Sequence, residues 1–83
     1  MEKDIEKRIL IDYGKKAKKV LKIIDEFESK MNLSPRVSRC ILHLADGNEE
    51  KLNYFIKIAE TDWRDIIGEA EIIDFEFNKP FNF

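Results

Sequence analysis

One cysteine, Cys40, occurs in the whole sequence, so no disulfide can form within the chain. No apolar run approaches the roughly 18 residues of a membrane-spanning helix, and Ile9-Leu10-Ile11 is far too short for a signal-peptide core. A reducing, cytoplasmic setting without membrane contact is therefore expected. His43 is the only histidine. Structural zinc takes four Cys or His ligands in paired spacings, so Cys40 and His43 would need carboxylates or a second chain to complete a site. Cys40 also falls on an apolar stripe, where a free cysteine behaves as a small core residue. The expectation is a buried cysteine, a surface histidine, no metal and no cofactor. Three glycines and two prolines leave no glycine-rich loop to cradle a phosphate. No nucleophile–base pair and no paired carboxylates flanking a cleft can be read from the spacing either. No catalytic residue is assigned, and the chain is read as a non-enzyme.

What the sequence does hold is charge and a modest core. Its 83 residues suit one domain, and a hydrophobic fraction of 43% is enough for one core. Charged residues reach 39%, against a usual value of roughly 25%. The net charge of −2 conceals an uneven distribution. Residues 1–40 hold eleven Lys or Arg and seven Asp or Glu (+4), while residues 41–83 hold four and ten (−6). Such asymmetry favours head-to-tail self-association or an acidic partner for the first half. Neutralisation of one half by the other inside the fold is the simpler reading.

The periodicity predicts an all-α fold, a small helical bundle. One long helix is expected over residues 4–31. Leu10, Ala17, Ile24 and Met31 recur every seven positions, with Tyr13, Val20 and Phe27 three after the first three. Leu21 and Ile23 widen that stripe, and Ile5 and Ile9 continue it less cleanly. Gly14 lies inside, costs roughly 1 kcal/mol relative to Ala, and marks a bend, a close contact or a break near residues 12–15. Three shorter helices are expected over 35–46, 48–60 and 62–71. Ser34 can cap the first, with Pro35 at the position where no N–H is needed. Val37, Cys40, Ile41, Leu44 and Ala45 line one face of it, and Leu42 adds a second apolar flank. Gly47 is expected to end it in a left-handed conformation. Asn48 can cap the next helix, with Glu49 and Glu50 near its positive end. Thr61 or Asp62 can cap the last, which carries Trp63, Ile66, Ile67 and Ala70.

The final residues change period. Ile73, Phe75 and Phe77 alternate with Asp74, Glu76 and Asn78, and Pro80, Phe81 and Phe83 follow. Nothing else reads as a strand to pair with this segment. It is therefore expected as an extended arm over residues 72–83, beside a helical domain at 1–71. The arm lies across the helices or on a partner chain, the first being favoured.

Three surfaces invite a functional reading. Leu10, Tyr13, Val20 and Phe27 on the stripe, with Phe75, Phe77, Phe81 and Phe83 on the arm, form the candidate partner interface. Lys15, Lys18, Lys19 and Lys22 share one helix face and, with Arg36 and Arg39, form a candidate anion contact. The isoelectric point near 5.4 and the acids that follow at Asp25, Glu26 and Glu28 favour a merely solvated face. Arg36, Arg39 and His43 make one polar wedge, suited to an anion or to ion pairs with Glu49, Glu50, Asp62 or Asp65, the second being favoured. Trp63, between Asp62 and Arg64, is expected as a core anchor. The hairpin at 35–59 makes a poor DNA reader, since its second helix opens on Asn48-Glu49-Glu50, which phosphates repel. The expected function is a non-catalytic interaction module that self-associates, as a homodimer, or binds a protein partner. A nucleic-acid or anion-binding accessory role is the alternative.

Overall fold

The computed structural model describes residues 1–72 and 76–83. Among these residues it is an all-α bundle of four helices: α1 Lys3–Tyr13, α2 Ala17–Met31, α3 Pro35–Ala45 and α4 Glu49–Ala70. A 3-10 turn, Gly14–Lys16, joins α1 to α2. No strand occurs among the described residues.

The N-terminal helical stretch occupies the expected residues, but it is folded into a hairpin. A straight helix over residues 4–31 would be about 42 Å long, whereas the longest dimension of the Cα trace is 30 Å. Gly14, at φ 49° and ψ −113°, takes a conformation that side-chain-bearing residues avoid and ends α1 there. The α-amino group of Met1 consequently lies 3.9 Å from a Glu28 carboxylate oxygen, near the far end of α2. The break also resets the helical phase. α1 buries Ile5, Ile9 and Tyr13 at spacings of four, and α2 buries Ala17, Val20, Ile24 and Phe27. Leu10, placed on the stripe by the seven-residue repeat, is instead 56% exposed, and its neighbour Ile11 is 59% exposed.

The second hairpin follows its capping residues closely. The Ser34 hydroxyl accepts from the Arg36 N–H at 3.3 Å, and Pro35 opens α3. Asp46 and Gly47 both take positive φ, so the reversal expected at Gly47 is shared by two residues. Asn48 Oδ1 accepts from the Lys51 N–H at 2.9 Å. The expected stop and restart near residue 61 is a kink inside α4 rather than a gap between two helices. Asp62 alone leaves helical geometry, at φ −150° and ψ 94°, and its carboxylate accepts from the Arg64 N–H at 3.1 Å.

Contacts between the hairpins set their relative directions. Asp4 pairs with Arg39, and the carbonyl of Asp12 approaches Gly47, so α1 and α3 run parallel. Lys19 pairs with Glu49 at 3.0 Å and Lys30 with Glu60 at 2.8 Å, so α2 and α4 run parallel too. α1 packs on α2 and α3, α4 packs on the same two helices, and no Cα of α1 comes within 8 Å of one of α4. α1 and α4 therefore form opposite sides of the bundle. α3 is central, with Val37, Cys40, Ile41, Leu42 and Ala45 almost fully buried, as its two apolar flanks require.

Two glycine substitutions with opposite outcomes test this geometry. At Gly47, φ is 79° and an added Cβ would lie 3.1 Å from the Asp12 carbonyl oxygen. Gly47→Ala is expected to lower unfolding free energy by about 1–2 kcal/mol in urea titration. Gly68 is helical with open space around it. Gly68→Ala should raise stability by up to about 1 kcal/mol.

Candidate functional site

The densest polar constellation lies on the polar wedge of α3. Helical spacing puts Arg36, Arg39 and His43 on one side of that helix, and the fold then covers the wedge from three directions. Arg39 is 4% exposed. A guanidinium so deeply buried is tolerable only when its charge and donors are matched. Its Nε donates to Asp4 Oδ2 at 2.8 Å and its Nη2 to Asp4 Oδ1 at 3.1 Å, a two-pronged fork across to α1. Its Nη1 donates to the Phe77 carbonyl at 3.1 Å. Asp4 Oδ2 also accepts from the Phe81 N–H at 3.0 Å. One ion pair thus ties together the start of α1, the middle of α3 and the C-terminal arm.

Arg36 makes a second fork with Glu71, just past α4. Its Nε donates to Glu71 Oε2 at 2.8 Å, and its Nη2 pairs with Oε1. The Phe77 N–H approaches Glu71 Oε2 at 3.4 Å. Buried Ser38 donates to Glu28 Oε2 of α2 at 2.7 Å. The wedge therefore forms ion pairs, as the spacing favours, but its partners are Asp4 and Glu71 rather than Glu49, Glu50, Asp62 or Asp65. Glu49 pairs with Lys19 instead. Helix direction explains the difference, because the Arg36 end of α3 lies beside the last turn of the antiparallel α4.

The described part of the arm lies across this wedge in the same chain. Phe77 is 6% exposed, with its ring 4.8 Å from that of His43. Phe81 stacks under the Arg8 guanidinium at 5.0 Å, and Phe83 lies 5.1 Å from the Lys7 ammonium. Cation–π contacts of this kind contribute about 0.5–1 kcal/mol at exposed sites. Phe75 and Ile73 lie outside the described residues.

The expected partner interface consequently divides. Tyr13, Val20, Phe27 and Phe77 belong to this chain's own core, Phe81 is half-buried, and Leu10 and Phe83 are exposed. The core takes Tyr13 deeply enough that burial pushes its phenol up to about 12. The expected anion contact divides as well. Lys15, Lys18, Lys19 and Lys22 are exposed on α2 and its preceding turn, with Lys19 held by Glu49. Arg36 and Arg39 lie in the wedge, remote in role from those lysines. Spacing did not reveal Asp4 and Glu71, since each meets an arginine 35 positions away.

The chemistry of the wedge is that of a clasp. Hydrogen bonds from Arg39, aided by the Phe81 N–H and opposed by burial, hold the Asp4 carboxyl below its usual range. Hydrogen bonds from Arg36 do the same for Glu71, again against burial. Both are ionised near neutrality. Cys40 is fully buried, and burial pushes its thiol up to about 12, so the reactive thiolate is suppressed. Among the described residues no group of three His, Cys, Asp or Glu is placed to hold a metal ion. Trp63 is half-buried against the core, and the Arg64 guanidinium lies 5.5 Å from its ring. No family model, curated protein or solved structure matches the chain.

The clasp predicts a specific acid response. Asp4 and Glu71 have native pKa values below their unfolded ones, so their stabilisation is present above the unfolded values of 3.8 and 4.5. It is lost as pH falls through the lowered native values. Stability should be flat near neutrality and decline below about pH 4, and Asp4→Asn should flatten that acid limb. At neutral pH, Asp4→Ala leaves Arg39 buried without its counter-charge. It should cost roughly 3 kcal/mol by chemical denaturation, far more than Glu76→Ala in the exposed pair with Lys79.

Proposed function

We propose that this protein is a small non-catalytic interaction module that self-associates in a cytoplasmic setting. The observation that carries this reading is the pair Leu10 and Ile11. They are adjacent on α1 and more than half exposed, in a chain whose core takes up most of its other aliphatic side chains. Large apolar groups left together on a surface mark contact sites more often than single exposed residues do. The buried, un-ionised Cys40 and the carboxylate-paired Arg36 and Arg39 support a binding role over a chemical one. Among the described residues no helix is long and apolar enough to cross a membrane. That fits the cytoplasmic setting, as does the inert single cysteine.

A second reading is supported by a different observation. Lys15, Lys18 and Lys22 are exposed on neighbouring positions, and none of them is paired with a carboxylate among the described residues. Such a face could take an anion or a nucleic-acid backbone.

Sedimentation separates the two. Self-association predicts a mass above 9.9 kDa that rises with concentration. A monomer at every concentration would remove that reading. The anion reading predicts retention on heparin that weakens with salt and falls when Lys15, Lys18, Lys19 and Lys22 become Gln. Free passage at low salt would end it.

A further inference from the structure

The two opposite sides of the bundle carry complementary outer surfaces. On α1, Leu10 and Ile11 lie beside Lys7, with Phe83 of the arm held over the Lys7 ammonium. Lys3, one turn before Lys7, and Lys15, just after α1, extend the basic margin, and Glu6 is its acidic exception. On α4, Tyr54 is 60% exposed and, with Ile58, lines a groove that ends at the kink. Asp62 and Asp65 close one end of that groove, Glu50 stands one turn before Tyr54, and Lys51 and Lys57 are the basic exceptions. One surface is apolar with a mainly basic margin, and the other is apolar with a mainly acidic one. They cannot meet within one chain, because α2 and α3 lie between α1 and α4.

We propose that copies of the chain associate head to tail, with the Lys7–Leu10–Ile11 face of α1 in one copy seated on the Tyr54–Ile58–Asp65 face of α4 in the next. The proposal rests on the self-association reading and specifies its geometry. A contact between two different faces is not satisfied by a symmetric pair, so each added copy leaves one face of each kind open. The charge pattern selects this pairing over like with like. Two α1 faces would bring lysines together, and two α4 faces would leave a surplus of carboxylates, since Glu50, Asp62 and Asp65 outnumber Lys51 and Lys57. The contact is small. A standard interface takes about 800 Å² from each partner, near one-seventh of the 5577 Å² surface of this chain. A face on an eleven-residue helix, about 16 Å long, offers less. Association is therefore weak, reversible and sensitive to salt.

Two neutral variants test it, one at each face: Leu10→Asn with Ile11→Asn, and Tyr54→Asn with Asp65→Asn. All four positions are exposed, so helicity by circular dichroism should match the native chain. In sedimentation equilibrium up to the millimolar range, the native chain is expected to pass twice its 9.9 kDa mass without a plateau there. Each variant alone should remain a monomer. Their equimolar mixture should form a dimer and stop, since each supplies the face the other lacks. A native chain that stays monomeric overturns the self-association reading, and this proposal with it. A native chain that halts at two copies, or a mixture that stays monomeric while the native chain associates, overturns head-to-tail pairing alone. If either variant unfolds, the plateau of the native chain still decides: growth past two copies supports the proposal and a halt at two removes it.

Discussion

A positive charge sits almost wholly inside this small protein, and the fold is arranged to neutralise it. Placing Arg39 on the central helix commits the chain to bring a carboxylate and a carbonyl to it. Asp4 supplies the first from α1, and Phe77 supplies the second from the arm. Apolar burial alone would hold the α3–α4 hairpin together. It would not dictate where α1 begins against α3, nor where the arm crosses. A matched buried pair often adds little net stability compared with an apolar replacement, but it penalises every arrangement in which one partner is missing. Here the arrangement it selects is the docking of one hairpin on the other.

The extent to which this was legible in the sequence follows the range of each interaction. Caps act within one turn, so Ser34 and Asn48 could be placed from residue type and neighbours alone, and the third cap narrowed to Thr61 or Asp62. The α3 stripe, with its second flank at Leu42, was readable for the same reason. The heptad of the N-terminal region was misleading because a repeat of seven presumes one unbroken axis. Gly14 removes that axis, and on a separate α1 the spacing of four from Ile5 to Ile9 to Tyr13 decides which residues face inward. The arginine partners were beyond reach for a different reason. Asp4 and Glu71 have no periodic relation to α3 and become neighbours only once the helix directions are known.

Folding the first stretch into a hairpin also relocates the surfaces available for contact. The apolar side chains expected to seek a second chain are largely spent on this one, through Tyr13, Val20 and Phe27. Of that expected interface Leu10 and Phe83 remain outside, Leu10 turned out by the broken phase beside exposed Ile11. The same glycine that makes the core compact thus creates the most exposed aliphatic pair on α1. Charge asymmetry along the sequence becomes partly internal, through Lys19 with Glu49 and Lys30 with Glu60, and partly a difference between the two outer sides.

Asp4 Oδ2 accepts from residue 39 and also from residue 81. Closing a loop as long as the second separation costs on the order of 4 kcal/mol of chain entropy. The helical hairpins between the two ends bear most of that cost as they pack, so Asp4 is placed to receive both donors at once. The first turn of α1 and the far end of the arm then share one anchor. One substitution at Asp4 thus removes a partner from Arg39 of α3 and from the Phe81 N–H of the arm together.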